Sequence, residues 1–351
     1  MHLHGLATAN PPRSCTQAEC LELARAAYDM LPGFDRRSRL LLSSILRGDS
    51  GVDTRQFAVR DLRRLFHLDA DELNGEFRAT APALAASALQ PALRQAGLAA
   101  GDLDALVVCT CTGYLCPGVS SYVAEDLGLR PDAWLHDLAG LGCGAAIPGL
   151  RTVAAILTAD PGATVACVAV EVCSAAFYLD NDPGVIISAC LFGDGAAATV
   201  WRGTPGAYGV RCHGFDTVHD PTSRDRIRFE QKDGKLRNLL HPSVPGLAAG
   251  AVATLHRRAA ARTPDTPPAR VITHAGGKQV LAALEQVLPG QDLAAPRTVL
   301  RRHGNMSSPS VLFALEEALR DDAPSPGRDW WLTSFGAGFS AHSCRLSSAP
   351  A

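Results

Sequence analysis

The run ATVACVAV, residues 163–170, carries no charge and a single hydroxyl, at Thr164. Apolar character this continuous, with β-branched side chains throughout, reads as a strand buried on both faces, since a strand with one wet face alternates. Working back from it, residues 144–157 have the length and composition of an apolar helix. Residues 133–138 read as a second strand, 119–127 as a helix, and 105–110 (ALVVCT) as a third strand. The C-terminal half repeats the alternation: a strand ends at 270–273, helices are expected at 278–287 and 310–319, and a strand at 330–334. Strands alternating with helices predict an α/β protein layered around a largely parallel sheet.

An internal echo refines this. LFGDGAAATV (191–200) and SFGAGFSAHS (334–343) both set Phe-Gly-x-Gly before a run of small residues. Each follows, at comparable distance, a glycine-bearing turn that opens an apolar helix: GLGCGAAIPGL (140–150) and HGNMSSPSVLFAL (303–315). Two echoes in the same order predict a duplicated unit, one half over residues 1–205 and the other over 206–351. Near the N-terminus, Thr16 and Glu19 form a capping-box pattern that opens a helix over 17–31. A second helix is expected at 36–47, and a third at 81–97 with Thr80 as N-cap and Pro91 as a kink or break. The polar stretch 211–245 reads as a loop, 262–268 (RTPDTPP) as a surface linker and 324–327 (PSPG) as a turn.

Hydrophobic residues make up 47% of the 351 and charged residues 19%, enough for a large core. The 33 basic and 35 acidic residues nearly balance, which leaves no footprint for nucleic acid and no acidic tail. The opening MHLHGLATANPP has neither a basic nor a continuous apolar segment, and no stretch is apolar enough to span a bilayer. A soluble, cytoplasmic protein is expected. The eleven cysteines include no Cys-x-x-Cys pair, and Cys109, Cys111 and Cys116 have no histidine at zinc-like spacing, so no metal site is expected. Cys109, Cys167, Cys190 and Cys212 fall in apolar, strand-like runs and read as small buried hydrophobes.

Cys143 differs. Glycines on both sides permit a tight turn and close approach of a ligand to backbone. It directly precedes the predicted helix, whose unpaired N–H groups and dipole favour a thiolate, and Pro148 fits that helix's first turn. His274 ends an apolar strand and precedes Ala275-Gly276-Gly277, a turn that lets a ring project from a sheet edge. Asn305 lies in HGNMSS, which leads into the next helix. Each has a plain structural reading: a buried thiol, a packed histidine, a turn-forming or N-cap asparagine. Together they offer a thiol, a ring donor and an amide donor, each at a turn between sheet and helix. That set suits decarboxylative condensation, in which a thiolate accepts an acyl group and two donors stabilise the charge that develops on a malonyl thioester oxygen.

GLGCGAA, THAGGKQVL, HGNMSSPSVLFAL and LFGDGAAA together resemble the type III polyketide synthases, the chalcone and stilbene synthase relatives of the thiolase-like superfamily, over residues 6–346. The resemblance implies a thiolase-like duplicated αβαβα layered fold, a homodimer, and an acyl-CoA starter and malonyl-CoA as free thioester substrates with no separate cofactor. It implies Cys143 as nucleophile, His274 and Asn305 as decarboxylation donors, and Phe192 as gatekeeper between a coenzyme A tunnel and an inner cavity. Cys111, Cys116, Ala176 and Asn238 fall at cavity-lining positions, and Gly276 and Gly277 at the substrate-binding turn. Pyrone or resorcinol-type phenolic products are expected, and the small residues Cys111, Cys116 and Ala176 are expected to leave room for a long acyl starter. Arg36, Arg37, Arg39 and Arg47 are candidates to grip coenzyme A. The chain departs from the plant members at SFGAG (334–338), where those carry Gly-Phe-Gly-Pro-Gly; the change, in the style of ketoacyl synthase III, bears on the cavity wall and ring closure.

Other readings stay open. The same three residue types would serve a ketoacyl synthase III-like enzyme that condenses once and takes malonyl from an acyl carrier protein. A thiolase-fold subunit with no chemistry of its own is a third reading, against which the presence of all three residues argues. A cysteine protease is disfavoured: the Cys143–His274 spacing of roughly 130 residues resembles papain's, but the Cys-Gly-Ser/Ala-Cys-Trp signature is missing.

Overall fold

The computed structural model describes residues 1–263, 270–321 and 328–348. The expected turn at 324–327 and residues 264–268 of the expected linker lie outside these. Along the chain run β1 (His2–Ala9), β2 (Ser14–Thr16), α1 (Gln17–Tyr28), α2 (Arg36–Arg47), β3 (Thr54–Gln56), α3 (Ala70–Gln95), β4 (Ala105–Cys109), α4 (Val119–Leu127), β5 (Trp134–Leu138), α5 (Ala146–Ala159), β6 (Thr164–Glu171), α6 (Pro183–Leu191) and β7 (Gly195–Arg202). They continue as β8 (Val210–His219), β9 (Ile227–Lys232), β10 (Lys235–Leu240), α7 (Val244–Arg262), β11 (Arg270–Thr273), α8 (Lys278–Val287), α9 (Ala294–His303), α10 (Ser310–Asp321), β12 (Asp329–Gly336) and β13 (Ser340–Ser348).

Nine strands line up in the order β11-β12-β13-β8-β1-β7-β6-β4-β5. β8 meets β1 at one residue pair, His2 with Arg211, so two blocks join at a thin seam. In one block β5, β4 and β6 are parallel while β7 and β1 run antiparallel. In the other, β11 and β12 are parallel while β13 and β8 run antiparallel. The sheet is therefore mixed rather than largely parallel. β13 returns from β12 through a three-residue turn, and a link that short permits only an antiparallel partner.

The side chains of β6 divide strictly by period two. Val165, Cys167 and Ala169 pack in one cluster with Leu150 and Val153 of α5, whereas Ala166, Val168 and Val170 pack in another with Leu84, Ala88 and Leu89 of α3. Helices cover both faces, which is why the run is apolar throughout. A third cluster joins α1, α2 and α6 through Leu21, Leu42, Leu46 and Ile186, and it encloses Cys143 and Phe192.

Several elements depart from expectation. α3 starts at Ala70, with Asp69 and Glu72 forming the capping box, and it runs on through Pro82 and Pro91. Thr80 is inside it, its hydroxyl donating to the Glu76 carbonyl at 2.7 Å. Burial of Phe77, Ala81, Leu84, Ala85, Ala88, Leu89 and Ala92 against the sheet holds the helix across both prolines. The stretch 211–245 is not a loop: it contains most of β8 and the β9–β10 hairpin, closed by Asp233 and Gly234 at φ 52° and 74°. Cys190 sits in α6, not in a strand, and α6, α7 and α9 had no counterpart in the sequence reading.

Candidate active site

Cys143 lies in a 3-10 turn, Gly142–Gly144, just ahead of α5. The turn is wedged against the end of β12. A Cβ on Gly336 would stand 2.7 Å from the Gly144 nitrogen and 2.9 Å from that of Cys143, and Gly142 adopts φ +58° with Ala337 behind it. The second Phe-Gly-x-Gly thus backs the thiol directly. His274 follows β11, and its ring is held by packing, edge-on to Phe335 at 5.4 Å between centroids. Asn305 follows α9. Its Oδ1 accepts the Ser307 N–H at 2.8 Å and its Nδ2 donates to the Gly276 carbonyl at 3.1 Å, which fixes which end of the amide is the donor. Cys143, Phe192, His274, Gly276, Gly277 and Asn305 all line one cleft of about 740 Å³.

Burial governs the electrostatics. It pushes the Cys143 thiol up to about 12, against the pull of the Ser307 hydroxyl and with the push of Glu171. It pushes His274 down to about 4. The expectation that a helix N-terminus would favour thiolate is not met, because the thiol stands in the turn before α5 and desolvation is the larger effect. Burial thus favours the neutral form of both the thiol and the imidazole.

Two residues escaped the sequence reading. Glu171, wholly buried, ends β6 and accepts from the Cys111 N–H (2.9 Å), the Thr112 N–H (3.1 Å) and hydroxyl (2.9 Å), and the Ser308 hydroxyl (2.6 Å). The Ser307 hydroxyl stands between this carboxylate and the thiol, 3.4 Å from Glu171 Oε1 and 3.2 Å from Cys143 Sγ. Ser307 has φ 59°, a left-handed conformation that a serine adopts rarely. A charge closing an otherwise apolar run at position 171 was the available signal.

Residues 34–206 match the family described as FAE1/Type III polyketide synthase-like protein, and residues 265–347 match the C-terminal domain of 3-oxoacyl-[acyl-carrier-protein] synthase III. The 1,3,6,8-tetrahydroxynaphthalene synthase of Streptomyces peucetius subsp. caesius is 32% identical over 95% of this chain and 89% of its own length. The chain belongs to the type III polyketide synthase family. A further relative, 3,5-dihydroxyphenylacetyl-CoA synthase of Streptomyces toyocaensis, is 28% identical over 95% of this chain and 90% of its own. The crystal structure of 1,3,6,8-tetrahydroxynaphthalene synthase from Streptomyces coelicolor A3(2), described as a bacterial type III polyketide synthase, matches all of both chains with a TM-score of 0.88 at 27% identity. As a type III polyketide synthase the chain is an acyltransferase with the duplicated thiolase-like αβαβα fold.

In this type III polyketide synthase Phe192 borders two spaces, the cleft and an inner pocket. Ala176 and Asn238 line the pocket, Asn238 donating to the Ser188 hydroxyl at 2.8 Å. The pocket holds only about 20 Å³, room for one water. Phe177, Tyr178, Phe229 and Leu236 line it as well. Cys111 lines neither space and instead places its sulfur 3.3 Å from the Ser307 hydroxyl. Cys116 is exposed and also lines neither, because the loop after β4 carries it outward together with Tyr114, 75% exposed. Arg39 is occupied by the carbonyls of Tyr28 and Phe34 and by Asp29; Arg36, Arg37 and Arg47 are exposed and outside the cleft wall, where Lys278 pairs with Asp49. Among the described residues no group of His, Cys, Asp or Glu is placed to hold a metal ion, and no helix is long and apolar enough to cross a membrane.

Proposed function

We propose that this chain extends an acyl group held on Cys143 by decarboxylative Claisen condensation with malonyl-CoA, giving pyrone or resorcinol-type phenolic products. The observation that carries the reading is one cleft bordered by the thiol, the imidazole and an amide whose donor end is free for a ligand. With one Asn305 Nδ2 hydrogen on Gly276, the other remains available. In the first step Sγ attacks the starter thioester, His274 takes the thiol proton, and coenzyme A leaves with it. In the second, the bond to the malonyl carboxylate breaks, carbon dioxide departs, and the electron pair becomes an enolate whose oxygen accepts from His274 and Asn305. The enolate carbon attacks the acyl-cysteine carbonyl; a carbon–carbon bond forms, the carbon–sulfur bond breaks, and the extended chain is returned to the thioester pool. The substrates themselves supply the activation, so the chemistry calls for no further cofactor.

The products named for the two relatives, a tetrahydroxynaphthalene and a dihydroxyphenylacetyl thioester, are phenolic, which supports the product class. The tight inner pocket favours a short starter. The reading divides the labour between halves, residues 1–205 bringing Cys143 and 206–351 bringing His274 and Asn305. It includes a homodimer formed through β5, an edge strand with Trp134 56% and Leu135 40% exposed, in the cytoplasm, where free thiols persist. A second reading, malonyl delivered by an acyl carrier protein, is favoured by the C-terminal match at 265–347. Mass spectrometry of products from malonyl-CoA with short, aromatic and long-chain acyl-CoAs, carrier protein absent, tests the proposal. Aromatic or pyrone products are expected from short starters; no product without a carrier protein would turn the assignment to the second reading.

A further inference from the structure

Arg55, on β3, is 1% exposed and lines neither the cleft nor the inner pocket. No carboxylate forms an ion pair with it among the described residues. A buried guanidinium is unfavourable unless its donors are satisfied, and the groups that satisfy this one are informative. Nη1 donates to the carbonyls of Ala189 (2.7 Å) and Phe192 (2.9 Å), and Nε donates to Gln17 Oε1 (3.1 Å). Gln17 in turn donates to the Cys190 carbonyl at 3.1 Å. Of the last carbonyls of α6, which have no helical partner of their own, that of Ala189 closes on a fixed positive charge, as the helix dipole favours, and that of Cys190 on the Gln17 amide oriented by it. Phe192 is the first residue beyond that end.

The neighbours of Arg55 on β3 hold the other loop. Thr54 donates its hydroxyl to the Arg302 carbonyl at 2.7 Å, and Gln56 donates to the same carbonyl at 3.1 Å and bonds the His303 ring at 2.9 Å. Between the two loops Phe192 and Asn305 form an isolated parallel bridge, with the Asn305 N–H on Leu191 O (2.9 Å) and the Gly193 N–H on Asn305 O (3.1 Å). No slack remains between them. A Cβ on Gly304 would meet Leu191 O at 2.5 Å and Arg55 Cγ at 3.0 Å, and one on Gly193 would meet His303 O at 2.4 Å.

We propose that Arg55 is a positioning residue that holds the Phe192 ring and the Asn305 amide in register, through carbonyls it grips and the bridge they share. The inference rests on the proposed role of Asn305 in decarboxylation. Cys143 and His274 stand on other elements, the turn before α5 and the end of β11, which Arg55 does not touch. Displacing it therefore acts on the steps that use Asn305 and spares acyl loading.

The test uses Arg55→Lys, which keeps the charge but lacks the planar fork that reaches Gln17 and both carbonyls at once. A second variant, Gln17→Met, keeps the volume and removes the acceptor that orients Nε. Three quantities are measured on the full chain: acyl adduct formed on Cys143 from a starter acyl-CoA in a single turnover, carbon dioxide released from malonyl-CoA, and the KM for malonyl-CoA. In Arg55→Lys, loading is expected to stay within about threefold of wild type while decarboxylation and condensation fall at least tenfold with KM little changed; Gln17→Met shows the same split, smaller. Loading and decarboxylation falling together, or neither changing, overturns the proposal, and Gln17→Met decides it should Arg55→Lys fail to fold. A wild-type chain that neither loads nor decarboxylates would sink the functional reading itself, a separable outcome.

Discussion

At Cys143 the surroundings raise the thiol to about 12 by burial, while the same burial holds His274 near 4. In the proposed mechanism the sulfur becomes nucleophilic by handing its proton to His274, which lines the same cleft. His274→Gln is therefore expected to slow iodoacetamide labelling of the Cys143 peptide at pH 7.5 by tenfold or more and to move its rise to higher pH. Labelling at the wild-type rate would remove His274 as the proton acceptor. Asn305 is proposed to supply a donor to the developing enolate, so Asn305→Ala is expected to cut malonyl-CoA decarboxylation by about a hundredfold, the usual cost of one such donor. Cys143→Ala is expected to retain measurable decarboxylation, because both donors survive, but to form no carbon–carbon bond. Condensation by that variant at the normal rate would show that the acyl group is carried elsewhere.

Where two elements meet, single atoms decide. The end of β12 approaches the thiol's turn so closely that a methyl on Gly336 would lie 2.7–2.9 Å from three backbone atoms, none able to swing aside. Gly336→Ala is expected to destabilise the fold by about 1–3 kcal/mol, the usual range for overpacking, and to lower acyl loading of Cys143 beyond what the folded fraction explains. Calorimetry paired with adduct mass spectrometry reads both, and a fully active, equally stable variant would contradict the contact. The β9–β10 hairpin is a second such element. It presents Phe229, Leu236 and Asn238 to the inner pocket, so Asn238→Gly is expected to enlarge that pocket and lengthen the products from a given starter. An unchanged product mass would place the length limit elsewhere.

For the whole molecule, burial makes stability depend on pH. His274, His303 and His342 are each pushed down to about 4, so the unfolded chain takes up their protons near pH 6.5 and the folded chain does not until about pH 4. The stability they contribute is complete above 6.5 and is lost as pH falls toward 4. Asp194, pushed up to about 6 by burial, and Glu171, also pushed up by burial, act in the opposite sense. Histidines lowered by burial, His213 and His256 among them, outnumber the two raised carboxylates, so unfolding takes up protons across this range and stability falls as pH falls. The melting temperature is expected to fall between pH 6.5 and 4.5, and His342→Gln to flatten that fall; a flat wild-type profile would contradict the balance. The proposed assembly is open to the same kind of test, since Trp134→Lys on the β5 edge is expected to halve the mass seen by light scattering.

What could be read from the chain was whatever periodicity and local chemistry record. The apolar run at 163–170 announced a strand covered on both faces, the paired Phe-Gly-x-Gly segments announced a repeated unit, and the glycine turns around Cys143, His274 and Asn305 announced where side chains could face a ligand. Even the β9–β10 hairpin had its Asp233-Gly234 signal, obscured by charged flanks. Packing alone decided the rest. The continuity of α3 through two prolines, the closure of the inner pocket to one water, the protonation preferences of Cys143 and His274, and the placement of Glu171 and Arg55 all depend on neighbours distant in the chain. Desolvation and steric contact are set by what surrounds an atom in space, and adjacency along the chain does not specify that.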